Sequence, residues 1–404
     1  MCVGPSQEAF AGARRRPIGF FYNGARVNAL EGETVACALV RAGVHIFSRS
    51  VKFHRPRGLY CGAGRCISCV MRVNGVPGVR TCTLPVAEGM VVESQGGLPT
   101  TRFDALSALD HIFRKEFDYR SRFIRPRFLV PVYQRIVRNL AASSALPAQP
   151  EEYPRVSERN CNVLIIGQGV SGSVANARLR GADIRGVVAV DRMQGSEGRI
   201  PSVAFGVYEG GEVGVQVGDA VQIVKPRVVL LATGRFETGF PLVNGDLPGV
   251  MLPGALSQLV ASKVSPGKRA VVIGTSEQRS SVLRNLGALG VNVVGDIGDS
   301  SRVSRIIGRT RVRSVELADP RREIRCDTVI AIGPLVAAVE LGQQAGCELV
   351  SNRGMITVTT DSSGRTTAPS VFACGGVAGF RDPAERISSA VRAADAITKE
   401  LGVG

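Results

Sequence analysis

Four cysteines constrain this chain more than anything else in it: Cys61-x4-Cys66-x2-Cys69, closed by Cys82 after twelve more residues. Three thiols crowded into one loop, with a fourth standing apart, is ligand spacing suited to a [2Fe-2S] cluster. Five glycines lie between Gly58 and Gly78. Two of them, Gly62 and Gly64, let backbone N–H groups turn toward the sulfurs, where they help set a reduction potential. Zinc sites usually separate two close pairs of ligands, which this pattern does not. Zinc and structural thiols stand as the alternatives. Ten cysteines are scattered over 404 residues and no leader peptide is read, so a secreted disulfide scaffold is not expected.

The flanks fit a small half-buried sheet. Asn23-Gly24 and Asn74-Gly75 are tight-turn dipeptides between short extended segments, the second joining Cys69–Val73 to Val76–Cys82. Thr34 to Ala42 reads as a short helix ending before Gly43. This order of hairpin, helix, cysteine loop and hairpin resembles a β-grasp ferredoxin.

Net charge is +16, which raises nucleic acid as a partner. The basic residues are spread, however, with only short knots at Arg14-Arg15-Arg16 and Arg55-Pro56-Arg57, so no nucleic-acid interface is expected. No apolar run approaches the roughly 18 residues of a membrane span. A cytoplasmic protein is the expectation, held at the inner face of a membrane only through partners.

Residues 99–159 read as a helical connector and linker. Phe113, Phe117, Tyr119, Phe123, Phe128 and Tyr133 precede a small, polar, proline-rich stretch from Ser143 to Pro154. The aromatics suit a clamp between domains or a docking surface for a partner protein.

A different pattern begins at Cys161. The apolar strand Asn162–Ile166 runs into Gly167-Gln168-Gly169-Val170-Ser171-Gly172, then a helical segment, then the strand Val187–Val190 ending at Asp191. Gly167 permits the turn, Gly169 the approach of a pyrophosphate, and Gly172 close packing of helix on strand. Unpaired N–H groups at Val170 and Ser171 face phosphate, and Asp191 is placed for ribose hydroxyls. Strand, glycine turn, helix, strand and acid together point to an adenine dinucleotide; a structural relic is the bland alternative.

The later turns Ala232-Thr233-Gly234 and Ala373-Cys374-Gly375-Gly376 resemble those that close over FAD in flavoproteins with two dinucleotide-binding domains. Gly376 stands where that resemblance implies an acid. Between these turns lies a nested unit, about 266–335. Its first strand ends in Gly274-Thr275-Ser276-Glu277-Gln278-Arg279-Ser280, which keeps only the first glycine of the fingerprint. A structural role and a retained NAD(H) or nucleotide site are both open for it.

The stretch Arg49-Ser-Val-Lys-Phe-His54-Arg55-Pro-Arg57-Gly58, Arg80-Thr-Cys82, Phe117-x-Tyr119, Ala232-Thr-Gly234, Leu247-Pro-Gly-Val-Met251 and Ser370 to Gly379 occur in an order that identifies a resemblance. It is to the alpha subunits of the heteromeric sarcosine oxidase, dye-linked L-proline dehydrogenase, opine oxidase and hydrogen cyanide synthase group. It implies an α/β chain: an N-terminal β-grasp [2Fe-2S] ferredoxin-like domain (1–98), then a shortened two-dinucleotide-binding-domain, Rossmann-like flavoprotein module (160–404). It also implies an electron-transfer subunit, with no catalytic residues of its own for amine oxidation.

In such a complex a flavoprotein beta subunit of the D-amino-acid/sarcosine oxidase type oxidises the amine, with further small subunits and an external electron acceptor. FAD, or an adenine nucleotide such as ATP or ADP, is implied at the Rossmann site and FMN at the partner interface. His54, Arg55 and Arg57 are candidates for a flavin phosphate or for tuning the cluster. One departure is visible. Only about forty residues separate Asp191 from Ala232, and Met193-Gln-Gly-Ser-Glu-Gly198 replaces an expected glycine pair.

Overall fold

A computed structural model of the chain describes residues 16–50, 53–97, 100–105, 128, 130–131, 155–192, 202–218, 220–318, 320–352 and 354–402. The connector residues Phe113, Phe117, Tyr119, Phe123 and Tyr133, the linker Ser143 to Pro154, and Met193 to Gly198 lie outside these. The chain divides into two compact units, one of residues 13–151 with 237–334 and the other of 152–236 with 335–404.

In the first unit both Asn-Gly pairs form left-handed turns, Asn23 and Gly24 at φ 47° and 82°, Asn74 and Gly75 at 48° and 83°. They join Pro17–Tyr22 to Ala25–Leu30 and Val70–Val73 to Val76–Arg80 as antiparallel hairpins. Val91–Glu93 lies between the hairpins, parallel to Pro17–Tyr22, completing a mixed five-stranded sheet. The helix Val35–Arg41 starts where the Thr34 hydroxyl accepts the Cys37 amide, satisfying one donor that a helix start leaves open. Its residues Val35 to Val40 are buried beside Phe20, Phe47 and Met71. This is the β-grasp arrangement expected from the sequence.

The same unit holds the nested α/β segment. Val250–Met251, Thr328–Ala331, Arg269–Ile273 and Asn292–Ile297 form an all-parallel sheet in that spatial order, flanked by the helices Pro253–Ala261 and Arg279–Ala288. One hydrophobic cluster runs from Phe20, Leu39 and Met71 through Met251, Leu256 and Leu259 to Val272 and Ile330. The ferredoxin-like and nested segments therefore share a core.

At their contact the His45 Nε2 accepts from Arg311, 2.7 Å away. Burial, and then the Arg311 charge, push His45 down from 6.5 to about 4. Its contribution to stability is full above the unfolded value and lost as pH falls from about 6.5 toward 4, because only the unfolded imidazole takes up the proton. Allowing for its partial exposure, the loss is about 1 kcal/mol. Urea midpoints between pH 7 and 4.5 are expected to fall less steeply in His45→Gln than in the wild type.

In the second unit Val156–Ile166 is flanked by Val187–Val190 and by Ala220–Leu231, both parallel to it, and Val371–Ala373 adds to Ala220–Leu231. The antiparallel strands Ser202–Val207 and Val213–Val217 extend the sheet beyond Ala220–Leu231. Leu164, Ile165 and Leu230 are fully buried, as the continuous apolar runs of a covered parallel sheet require. The helix Val170–Gly181 pairs with Pro383–Glu400, whose buried face of Ser389, Ala390, Ala393 and Ala394 is small enough for close approach. Asp382 caps that long helix by accepting the Ala384 and Glu385 amides. Among the described residues no helix is long and apolar enough to cross a membrane.

Candidate iron–sulfur and dinucleotide sites

Cys61, Cys69 and Cys82 are buried and Cys66 is partly so. Gly62 and Gly64 adopt φ of 64° and 67°, turning the loop so that the Ala63 N–H donates to the Cys61 sulfur at 3.4 Å and the Gly64 N–H to the Cys82 sulfur at 3.3 Å. The thiols are close enough to exchange hydrogen bonds with one another. Cys61 is held well below the ordinary thiol value by hydrogen bonds with Cys66 and then Cys82, while those two are pushed up by their contacts with it. A hydrogen bond with Cys82 lowers Cys69 to about 7. Among the described residues no group of three or more His, Cys, Asp and Glu side chains is gathered as one metal ion requires. Four shielded thiols, two of them receiving backbone amides, are nevertheless a donor set that fits a [2Fe-2S] cluster.

Neighbours from the nested segment surround this loop. The Leu252 amide donates to the Tyr60 carbonyl at 2.8 Å. The Gln258 amide group donates to both the Gly62 and Cys82 carbonyls, at 2.5 and 2.9 Å. Glu237 accepts from the Gly254 amide at 2.7 Å and from the Gln278 side chain at 2.6 Å. Burial raises the Glu237 carboxyl, opposed by these two hydrogen bonds.

His54 is 3% exposed with φ 52°. Its Nδ1 lies 3.0 Å from Asp104, and Arg49 donates to its carbonyl at 2.7 Å. Arg55 pairs with Asp246 at 2.7 Å and with the Asn244 side chain at 2.8 Å. Arg57 lies in the short strand Pro56–Arg57, paired with Ser48–Arg49. Two members of this basic stretch are therefore held by the chain's own carboxylates.

In the second unit the glycine turn has the geometry of a phosphate cradle. A Cβ added to Gly172 would lie 1.8 Å from the Gly167 carbonyl, and one added to Gly167 would lie 2.3 Å from the Ala232 carbonyl. Around Gly169, by contrast, nothing comes within 4 Å of such an atom. It opens the helix Val170–Gly181 with no side-chain cap, leaving the space and the donors that a pyrophosphate uses. Asp191 accepts the Gln168 amide at 2.6 Å. Thr233 donates to the Ala338 carbonyl at 2.7 Å, and Gly234 accepts the Ala338 amide at 3.0 Å. Ser171 donates to the Arg386 carbonyl, and the Gly375 amide to Ser389.

A Cβ on Gly376 would fall 2.8 Å from the Arg235 side chain. An arginine thus fills the space beside the residue that replaces the expected acid. In the nested segment Arg279 donates to the Gly274 carbonyl at 2.9 Å and pairs with Asp296, the acid at the end of the next strand. Sequence reasoning missed Arg235, Glu237, Gln258 and Arg279 as site residues, because each acts through a partner that no local motif connects to it.

A [2Fe-2S] domain joined to an FAD-type oxidoreductase fold defines an iron–sulfur oxidoreductase subunit. A family described as "2Fe-2S iron-sulfur cluster binding domain" matches residues 15–97, and one described as "Pyridine nucleotide-disulphide oxidoreductase" matches residues 276–396. Sarcosine oxidase subunit alpha of Rhizobium meliloti is 28% identical over 394 residues, which cover 84% of this chain and 39% of that one. Hydrogen cyanide synthase subunit HcnA of Pseudomonas aeruginosa is 35% identical over 90 residues, 22% of this chain and 82% of that one. The crystal structure of L-proline dehydrogenase from P. horikoshii superposes with a TM-score of 0.73 at 19% identity, over 97% of this chain and 75% of that one, a likeness of fold. The chain belongs to the alpha-subunit group of sarcosine oxidase, opine oxidase and hydrogen cyanide synthase. It spans about two fifths of the length of the sarcosine and opine oxidase subunits.

Proposed function

We propose that this chain is the electron-transfer subunit of a heteromeric flavin-dependent amine or amino-acid dehydrogenase of proline or sarcosine type. In this reading it passes electrons from a partner's flavin, through a [2Fe-2S] cluster held by Cys61, Cys66, Cys69 and Cys82, to an external acceptor. The observation that carries it is the shielded four-thiol loop with amides directed at two of its sulfurs. Bound there, the cluster supplies a one-electron store; the chain's own part is to hold the thiols, exclude water and set the local charge.

The partner is proposed to be a flavoprotein beta subunit of the D-amino-acid/sarcosine oxidase type, with FMN at the interface between subunits. For the Rossmann site, residues Gly167 to Gly172 with Asp191 support the adenosine and pyrophosphate half of FAD. Arg235 beside Gly376 places positive charge at the other end, which also suits the terminal phosphate of ATP or ADP. Co-expression with the flavoprotein, followed by iron, sulfide and extracted-nucleotide analysis and rapid mixing with proline and sarcosine, tests the whole reading. Substrate-dependent bleaching of the cluster spectrum is expected. Zinc in place of iron, with no visible absorption, would overturn it.

Arg279 argues against a self-contained NAD(P)H oxidoreductase. Its guanidinium crosses the nested turn and neutralises Asp296, the acid placed for a nicotinamide nucleotide's ribose. NADH or NADPH added to the anaerobic isolated chain is expected to leave its visible spectrum unchanged over several minutes.

A further inference from the structure

We infer that the nested α/β segment serves the iron–sulfur loop rather than a nucleotide, with Gln258 and Glu237 as positioning residues for the cluster. The inference rests on the reading that the four cysteines hold a [2Fe-2S] cluster.

The glycine fingerprint has lost two of its three glycines, and the side chains that replace them are engaged within the protein. Gln278 reaches Glu237 at 2.6 Å, and Arg279 closes on Gly274 and Asp296. The turn that binds phosphate elsewhere is here cross-linked by its own residues. Glu237 in turn accepts the Gly254 amide near the start of the helix Pro253–Ala261, where a helix leaves N–H groups unpaired and favours negative charge.

That helix start is built against the cysteine loop. A Cβ on Gly254 would lie 2.9 Å from the Cys61 carbonyl and 3.0 Å from the Glu237 carboxylate. A Cβ on Gly62 would lie 2.6 Å from the Ala255 Cα. One turn further along, the Gln258 amide group spans the loop, donating to the carbonyl that follows the first ligand and to that of the last. A single side chain thereby ties the tight cysteine loop to the distant Cys82. Outer-shell hydrogen bonds of this kind fix ligand geometry and tune the metal. Glu237 adds a carboxylate near Cys61, which disfavours an added electron.

The test uses the whole chain, loaded anaerobically, with iron and sulfide content, EPR-monitored redox titration at pH 8 and release of iron to a chelator as readouts. Glu237→Gln keeps the shape and removes the charge. It is expected to leave the cluster about tenfold more reduced at a fixed potential, or about 59 mV for one electron. Gln258→Met keeps the length and removes both hydrogen bonds, and is expected to release iron about 10- to 100-fold faster with an altered EPR signal. A purely structural role would lower thermal stability without moving the potential. If Gln258→Met fails to load, the isosteric Glu237→Gln still decides. Wild-type chain without iron and sulfide overturns the cluster reading and the inference with it. Loaded wild type whose Glu237→Gln variant keeps the same potential overturns the inference alone.

Discussion

Cys82→Ser is expected to abolish the visible and EPR signatures of the iron–sulfur site and to cut electron flow to an external acceptor more than about 100-fold. The change removes one atom's identity and almost no volume. Cys82 has no exposed surface, so a serine hydroxyl fits where the thiol was. What is lost is chemical: iron in such clusters is held by thiolates, and a serine hydroxyl stays protonated at neutral pH. The sulfur also receives the Gly64 amide, and the residue's own carbonyl receives Gln258, so its position is fixed from both sides. Cys37 supplies the control. It is equally buried, and burial raises its thiol above the ordinary range, the mark of an inert packing cysteine. Cys37→Ser is expected to cost about 1–2 kcal/mol of stability in urea and to keep the full iron content. Equal iron loss in both variants would show that Cys82 acts by packing, not as a ligand.

This contrast also marks what the sequence makes legible. The four cysteines, both Asn-Gly turns and the glycine turn at residues 167 to 172 are local patterns, and local patterns fix local conformation. The helix after Thr34 and the strand ending at Asp191 follow the same logic. What escapes is everything made by long-range approach. Gln258 meets carbonyls 196 and 176 residues away, and nothing in the run Ser257-Gln258-Leu259 distinguishes it from an ordinary helical glutamine. Gly376 reads as a defect until Arg235 is seen beside it. The degenerate turn at Gly274 likewise reads as decay until Gln278 and Arg279 are found occupied. Residue type announces chemistry only where the chemistry is carried by neighbours in sequence. The basic stretch at His54, Arg55 and Arg57 shows the converse: it suggests an anion site, yet Asp104 and Asp246 already pair with two of its members.

The glycines of the dinucleotide turn are expected to separate into two kinds, and the separation tests the Rossmann site independently of the cluster. At Gly172 an added Cβ would fall 1.8 Å from the Gly167 carbonyl. That carbonyl cannot retreat easily, because the Gly167 amide is bonded to Val190 and the Gly167 Cα is pressed against the Ala232 carbonyl. Gly172→Val is therefore expected to destabilise the 152–236 and 335–404 unit by more than about 4 kcal/mol, the range reserved for severe overpacking. Gly169 has the opposite surroundings. It holds φ at −67° with open space where a side chain would point, so Gly169→Ala meets neither strain nor clash and is expected to fold with stability within about 1 kcal/mol of wild type. Its methyl group would instead occupy the space needed by a pyrophosphate, and retention of an adenine dinucleotide is expected to fall at least about tenfold. Thermal denaturation alongside extracted-nucleotide content reads both effects. A Gly169→Ala chain that folds and keeps its nucleotide would mean that the open space at this turn faces no ligand.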